Sequence, residues 1–365
     1  MPPYIHTIEK KVPDFKYSQE QLRDRMKEIV SGGDKERRLI HHIYGRSGIK
    51  NRYSVVDDFR ENGSFELFFN GEGASPGTKH RNDTYIKKGR GLFVDVARKL
   101  LTSSDFQPED ITHLITVSCT GFYAPGPDYD IIKTLGLKNS IERYHLGFMG
   151  CYAVIPALKL ARQLCNANKS ANVMVVSVEL CTLHFQAKPL VDDLISASVF
   201  ADGGAGALVS TTKPKNGPFY SLDGFASAIT EKGENDMAWS IGDHGFNMVL
   251  SNYVPDILGD GLEPFLAPVF DTFGISQDSI DLWGVHPGGR AILDKIEKTI
   301  SLPDQALNAS RSVLAQYGNM SSATILFVLQ HLLRQTEKVD KRKALALAFG
   351  PGLTIESALL TKHSA

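Results

Sequence analysis

Several things are scarce in this 365-residue chain, and each scarcity narrows what it can be. Forty Lys and Arg stand against 41 Asp and Glu, a formal net charge of -1. A strongly basic nucleic-acid surface is therefore excluded as its main business, although a local cluster can still hold a small anion. Charged residues make up 22 % and hydrophobic ones 42 %, ordinary for a globular protein. No stretch approaches the ~18 apolar residues of a membrane span, and the opening MPPYIHTIEKKVPDF carries no signal-peptide apolar core, which predicts a cytoplasmic protein without an integral membrane segment. There are only four cysteines, Cys119, Cys151, Cys165 and Cys181, too sparse for a disulfide framework in a chain without an export signal. Neither a CxxC nor an HExxH motif occurs, so no metal site is expected. Low-complexity tracts and short-period repeats are missing too.

What is present is an alternation. Residues 1–110 read as helical and loop segments, with a polar, glycine-rich patch over 70–91. Beyond them apolar runs alternate with amphipathic stretches. Strands are predicted at 111–117, 173–178 and 205–209, and helices at 129–137 and after Cys151, where Val154, Leu158, Ala161 and Cys165 recur at helical spacing. The second half repeats the grammar: strand 280–285, helix 291–300, helix 321–333 with Ser321 or Ser322 as cap, and strand 344–349. Strands alternating with helices predict an α/β protein with largely parallel sheets. The stretch Lys213-Pro214-Lys215-Asn216-Gly217-Pro218 is the natural link between halves at 1–215 and 216–365.

Three residues suggest chemistry. Gly150 before Cys151 makes a tight turn at a helix start, where the dipole and free N–H groups lower a thiol's pKa; Pro156 fits a first helical turn. His286 ends an apolar strand before Pro-Gly-Gly, at the carboxyl edge where α/β sheets bind ligands. Asn319 precedes another helix. Singly, each reads as an ordinary core, strand-end or cap residue. Together, they form a Cys/His/Asn set able to make a thiolate–imidazolium pair beside a neutral amide donor. An amide stabilises an oxyanion or enolate that a carboxylate would repel, which suits acyl transfer through a thioester. The acceptor, water or carbon, stays open at this point.

The segments GFMGCYA, WGVHPGGRAILD, YGNMSSATI and AFGPGLTIE resemble, in order and spacing, the type III polyketide synthases, the chalcone/stilbene synthase-like family. The likeness runs from about Lys50 to Glu356 and points to a microbial or divergent member. It implies a thiolase-like α/β fold of αβαβα layers with two pseudo-equivalent halves, assembled as a homodimer. Cys151 is then the acyl-carrying nucleophile, with His286 and Asn319 holding the thioester carbonyl during malonyl decarboxylation. Phe200 and Phe246 match the gatekeeping phenylalanines, Cys119 the pocket cysteine of bacterial members, and Ser321, Gly350, Pro351 and Gly352 the cavity wall. The implied substrates are an acyl-CoA starter and malonyl-CoA, with no metal or redox cofactor, and the product is a pyrone or phenolic ring.

Departures from the family pattern are equally specific. Arg46 fits one basic position of the coenzyme A tunnel mouth, but His42 stands where another cation is usual. Ala124 replaces the methionine that plant enzymes push into the partner subunit's cavity. Met237 adds bulk near a cavity glycine, which argues against coumaroyl-type starters. A fatty-acid initiation ketosynthase shares Cys/His/Asn but not the HPGG and GNMSSA contexts. A cysteine hydrolase is a more distant alternative, lacking a papain-like surround of the cysteine.

Overall fold

Runs of valine, isoleucine and alanine build one sheet, and its strand order organises everything else. The computed structural model describes residues 2–364 apart from 31–32, 61–62, 64–65, 69–74, 231–232, 252 and 336–338. The first half comprises β1 (Tyr4–Lys11), β2 (Phe15–Ser18), α1 (Gln19–Ile29), α2 (Asp34–Arg46), β3 (Asn51–Ser54), α3 (Thr78–Thr102) and β4 (His113–Ser118), followed by α4 (Pro127–Leu135), β5 (Glu142–Gly147), α5 (Val154–Ala167), β6 (Asn172–Leu180), α6 (Val191–Val199) and β7 (Asp202–Ser210). The second comprises β8 (Phe219–Ile229), β9 (Met237–Gly242), β10 (Gly245–Leu250), α7 (Val254–Phe273) and β11 (Leu282–Val285), followed by α8 (Arg290–Thr299), α9 (Asn308–Tyr317), α10 (Thr324–Arg334), β12 (Arg342–Gly350) and β13 (Thr354–His363).

The main sheet runs β11-β12-β13-β8-β1-β7-β6-β4-β5. In the first half β4 and β6 are parallel, whereas β6–β7 and β7–β1 are antiparallel. In the second, β11 and β12 are parallel, whereas β12–β13 and β13–β8 are antiparallel. The series β4-β6-β7-β1 and β11-β12-β13-β8 thus share one pattern of directions, the mark of a duplicated unit. A short pairing of Tyr4 and Ile5 with Ser221 and Tyr220 joins them.

Side chains alternate across each strand and so feed two different cores. Val173 and Val175 of β6 point into a central core that α5 and α10 share with both halves of the sheet, including Ala346 and Ala358. Met174, Val176 and Val178 face outward under α3. Leu345 and Leu347 of β12 face outward under α7 and α8. The result is five layers, αβαβα, with α5 and α10 in the middle.

Three expectations need correction. The sheet is mixed and not largely parallel, because an apolar run reports burial and not direction; β12 and β13, joined by the short turn Pro351–Leu353, can only be antiparallel neighbours. The first 110 residues are not merely helix and loop: β1 lies inside the sheet, its alternation hidden by a register shift between Ile5 and Thr7. The patch over 70–91 contributes much of the 25-residue helix α3, while its residues 70–74 lie outside the described set. Ser321 and Ser322 do not cap α10; they sit in the 3-10 turn Ser321–Ala323 ahead of it. No helix among the described residues is long and apolar enough to cross a membrane.

Candidate active site

Both middle-layer helices begin at one point in the molecule, and the candidate residues collect there. Cys151 lies three residues ahead of α5, in the turn that β5 feeds through Gly147 and Phe148. Gly150 has φ +91°, a conformation L side chains rarely take, and a Cβ there would lie 2.2 Å from Pro351 Cδ. That close approach wedges the cysteine turn against the turn after β12. Asn319 lies five residues ahead of α10, just before the turn Ser321–Ala323. Its backbone bridges Phe200: Asn319 N–H donates to the Val199 carbonyl and Ala201 N–H donates to the Asn319 carbonyl, each at 2.8 Å. His286 is the first residue after β11, as Cys119 is the first after β4. The duplication explains why a strand end from each half reaches the same spot.

Cys119, Cys151, Phe200, Met237, His286, Asn319, Ser321 and Pro351 all line one cavity of about 650 Å³. Gly350 and Gly352 do not line it; Gly350 instead lies so close to Tyr152 and the Cys151 backbone that a Cβ would clash with the Tyr152 ring at 2.5 Å. His42 and Arg46 are exposed on α2, away from the cavity lining. The Arg290 side chain reaches within 3.4 Å of a Cβ built on Gly48, two residues beyond α2.

The Asn319 amide is oriented at both ends. Its Oδ1 accepts from Ser321 N–H at 2.9 Å and its Nδ2 donates to the Gly288 carbonyl at 3.2 Å, so the amide's second N–H is the one that serves the Cys151 sulfur or a ligand beside it. His286 is almost fully buried, and neither ring nitrogen has a hydrogen-bond partner. An unpaired buried imidazole is costly unless something enters the cavity to meet it. Burial pushes its pKa down to about 3. Burial also pushes the Cys151 thiol up to about 12, with the Glu179 charge adding to the rise and hydrogen bonding to Ser321 and Asn319 opposing it. Desolvation thus opposes the expected helix-start effect on the thiol.

Sequence reasoning missed Glu179, which is fully buried on β6. Its carboxylate accepts from Cys119 N–H at 2.9 Å, from Thr120 Oγ1 at 2.8 Å and from the Ser322 hydroxyl, tying the two halves together behind the nucleophile. Burial lifts its pKa to about 7 despite these donors. The one available signal was an acid inside the apolar run VMVVSVEL.

A second cavity of about 800 Å³ adjoins the first, and Cys181, Phe200, Trp239 and Met248 line both. Phe246 lines only this outer cavity, where Tyr17, Leu22, Met26 and Phe59 supply much of the apolar wall. Over both lies the hairpin β9–β10, which among the described residues pairs only with itself.

Comparison with known proteins gives this arrangement its context. Residues 3–214 match the family model "Chalcone and stilbene synthases, N-terminal domain", and residues 224–364 match the corresponding C-terminal domain. The chain is 30 % identical over 349 residues to "Alpha-pyrone synthesis polyketide synthase-like Pks18" of Mycobacterium tuberculosis, covering 94 % of this chain and 86 % of that one. Among solved structures, PKS-I from the brown alga Ectocarpus siliculosus superposes with a TM-score of 0.91 at 28 % identity, covering 100 % of this chain and 98 % of that one. The C-terminal type III polyketide synthase domain of Steely1 from Dictyostelium superposes with a TM-score of 0.92 at 28 % identity, covering 100 % of both.

Proposed function

The chain belongs to the chalcone and stilbene synthase family, acyltransferases of the type III polyketide synthase class with a thiolase-like α/β fold, and on that premise we propose that it builds α-pyrones from an apolar acyl-CoA starter and malonyl-CoA. The observation that carries this reading is the convergence of Cys151, His286 and Asn319 on one cavity. Family membership sets aside the fatty-acid initiation ketosynthase and the cysteine hydrolase.

The chemistry follows from the site. Cys151 gives its proton to neutral His286 as sulfur attacks the starter's thioester carbonyl; coenzyme A leaves as the thiol, taking that proton. Malonyl-CoA then loses carbon dioxide. The electron pair of the broken carbon–carbon bond moves onto the thioester oxygen, where the second N–H of Asn319 and the single N–H of neutral His286 donate to it. The enolate carbon attacks the Cys151 thioester and the thiolate leaves, to be reloaded with the longer chain. Decarboxylation drives each cycle, so no metal or redox cofactor is required.

The apolar outer cavity beside Phe200 suits an aliphatic starter tail, and the Mycobacterium relative is named for α-pyrone synthesis. β5 is an edge strand of the main sheet and Phe122 beside it is exposed, which favours a homodimer through this edge. Exposed Arg46 and His42 on α2 stand ready for coenzyme A phosphates, and four free cysteines fit a reducing cytoplasm.

The test is mass spectrometry of products from the pure protein with malonyl-CoA and acyl-CoAs running from acetyl to long-chain fatty. We expect acyl pyrones that disappear with Cys151→Ala. Unchanged product from that variant overturns the assignment.

A further inference from the structure

The side chain of Asn319 is oriented by its neighbours, but the main chain that carries it leans on a distant residue, Arg52. Arg52 lies on β3, in the two-stranded sheet β2–β3 that stands apart from the main sheet, and is only 5 % exposed. Its guanidinium meets the end of α6. The last carbonyls of a helix have no partner within it. Here four in a row are taken from outside. Arg52 Nη1 donates to the Ala197 and Phe200 carbonyls, each at 2.7 Å. Gln19 Nε2 donates to the Ser198 carbonyl at 2.8 Å, and Gln19 Oε1 accepts from Arg52 Nε at 3.0 Å. The remaining carbonyl, that of Val199, accepts the Asn319 N–H at 2.8 Å.

The stem of the same side chain packs on the residue before Asn319. Gly318 has φ +71°, and a Cβ there would lie 2.8 Å from Arg52 Cγ and 3.0 Å from the Val199 carbonyl oxygen. Only glycine allows so close an approach in that conformation. Arg52 therefore touches Asn319's support twice, through its fork at the end of α6 and through its stem at Gly318. No carboxylate among the described residues forms an ion pair with it; its charge meets the negative end of the α6 dipole, with Asp202 acting at longer range. The turns carrying Cys151 and His286 receive no hydrogen bond from it among the described residues.

We propose that Arg52 is a positioning residue for malonyl decarboxylation: by joining the end of α6 to Gly318 it fixes the backbone of Asn319, and so places the amide where the enolate forms. This rests on the condensing reading above. The geometry explains why arginine is present. Methionine fills the stem's volume but leaves the Ala197 and Phe200 carbonyls unpaired. Lysine keeps the charge at the helix end but not the planar fork.

The experiment compares wild type with Arg52→Met and Arg52→Lys in two half-reactions. One is acylation of Cys151 by acetyl-CoA, followed by intact mass, whose extent counts the active sites. The other is carbon dioxide release from malonyl-CoA, expressed per active site. For Arg52→Met we expect kcat for carbon dioxide release to fall by about ten-fold or more, with KM for malonyl-CoA and the rate of acylation each within about three-fold of wild type. Arg52→Lys should recover part of the loss. Wild-type carbon dioxide release in Arg52→Met overturns the proposal. So does an equal proportional fall in both half-reactions, the sign of general damage to the site. Should Arg52→Met fail to fold, Arg52→Lys decides by the same ratio of the two rates. A wild type that performs neither half-reaction sinks the condensing reading, and this proposal with it.

Discussion

An amide at position 319 is what an enolate intermediate demands. Asn319 has its Oδ1 turned to Ser321 N–H and its Nδ2 to the Gly288 carbonyl, so the second N–H is the one that meets negative charge developing in the cavity. Asn319→Asp keeps the shape but replaces the donor with a carboxylate, which repels both the Gly288 carbonyl and the enolate. The expected result is a fall in malonyl-CoA decarboxylation of roughly a hundred-fold or more, the scale of losing one oxyanion donor, read as carbon dioxide release. Full decarboxylation in the variant removes Asn319 from the mechanism. At this scale the sequence was informative wherever chemistry is local. A glycine before Cys151, a strand end before His286 and a helix start after Asn319 are all visible in neighbouring residues. Glu179 was not visible, because its partners Cys119 and Ser322 lie 60 and 143 residues away and only the fold brings them to it.

At the scale of elements, the turns do more than the helices they introduce. The turn carrying Cys151 is shaped by Gly150 at φ +91° and pressed against Pro351, which closes β12 onto β13. Gly150→Ala adds a methyl 2.2 Å from Pro351 Cδ and holds an L residue in a conformation it resists. The two costs together amount to about 2–4 kcal/mol. Relief requires the two turns to part, which moves the sulfur away from His286 and Asn319. The variant should therefore melt at lower temperature and lose product formation even where it remains folded. A variant with wild-type turnover would show that this wedge does not position the nucleophile. The helices after Cys151 and Asn319 were legible from their apolar spacing. The hairpin β9–β10 was not: Met237, Trp239, Phe246 and Met248 face the cavities and Ser240 and Asn247 are exposed, but the exposed Ile241 and Val249 blur that alternation. Likewise β1 escaped notice through the register shift after Ile5.

The whole molecule is a duplication, and its two halves meet at a buried acid. Strand directions β4-β6-β7-β1 repeat in β11-β12-β13-β8, and the layered α/β class was legible from alternating runs; the mixed directions were not, since burial leaves no trace of orientation. At the seam, Glu179 takes hydrogen bonds from Cys119 and Thr120 of the first half and from Ser322 of the second. Burial raises its pKa from 4.5 to about 7. Between those values the folded chain keeps the proton and the unfolded chain has lost it. Stability contributed by this group is therefore complete below about pH 4.5 and is lost as the pH rises towards 7. His184 and His286, both held near 3, act in the opposite direction: they cost stability as the pH falls below 6.5. A comparison with Glu179→Gln cancels the histidines, which both proteins share. The variant's lost acceptor shifts its stability by a constant, whereas the proton at position 179 makes the difference depend on pH. Urea denaturation at intervals from pH 4.5 to 7.5 should show wild type losing about 3 kcal/mol relative to Glu179→Gln across that range. A difference that stays flat would mean that Glu179 titrates alike in both states, and that the seam between the halves holds an ordinary carboxylate relieved of its burial by the hydrogen bonds around it.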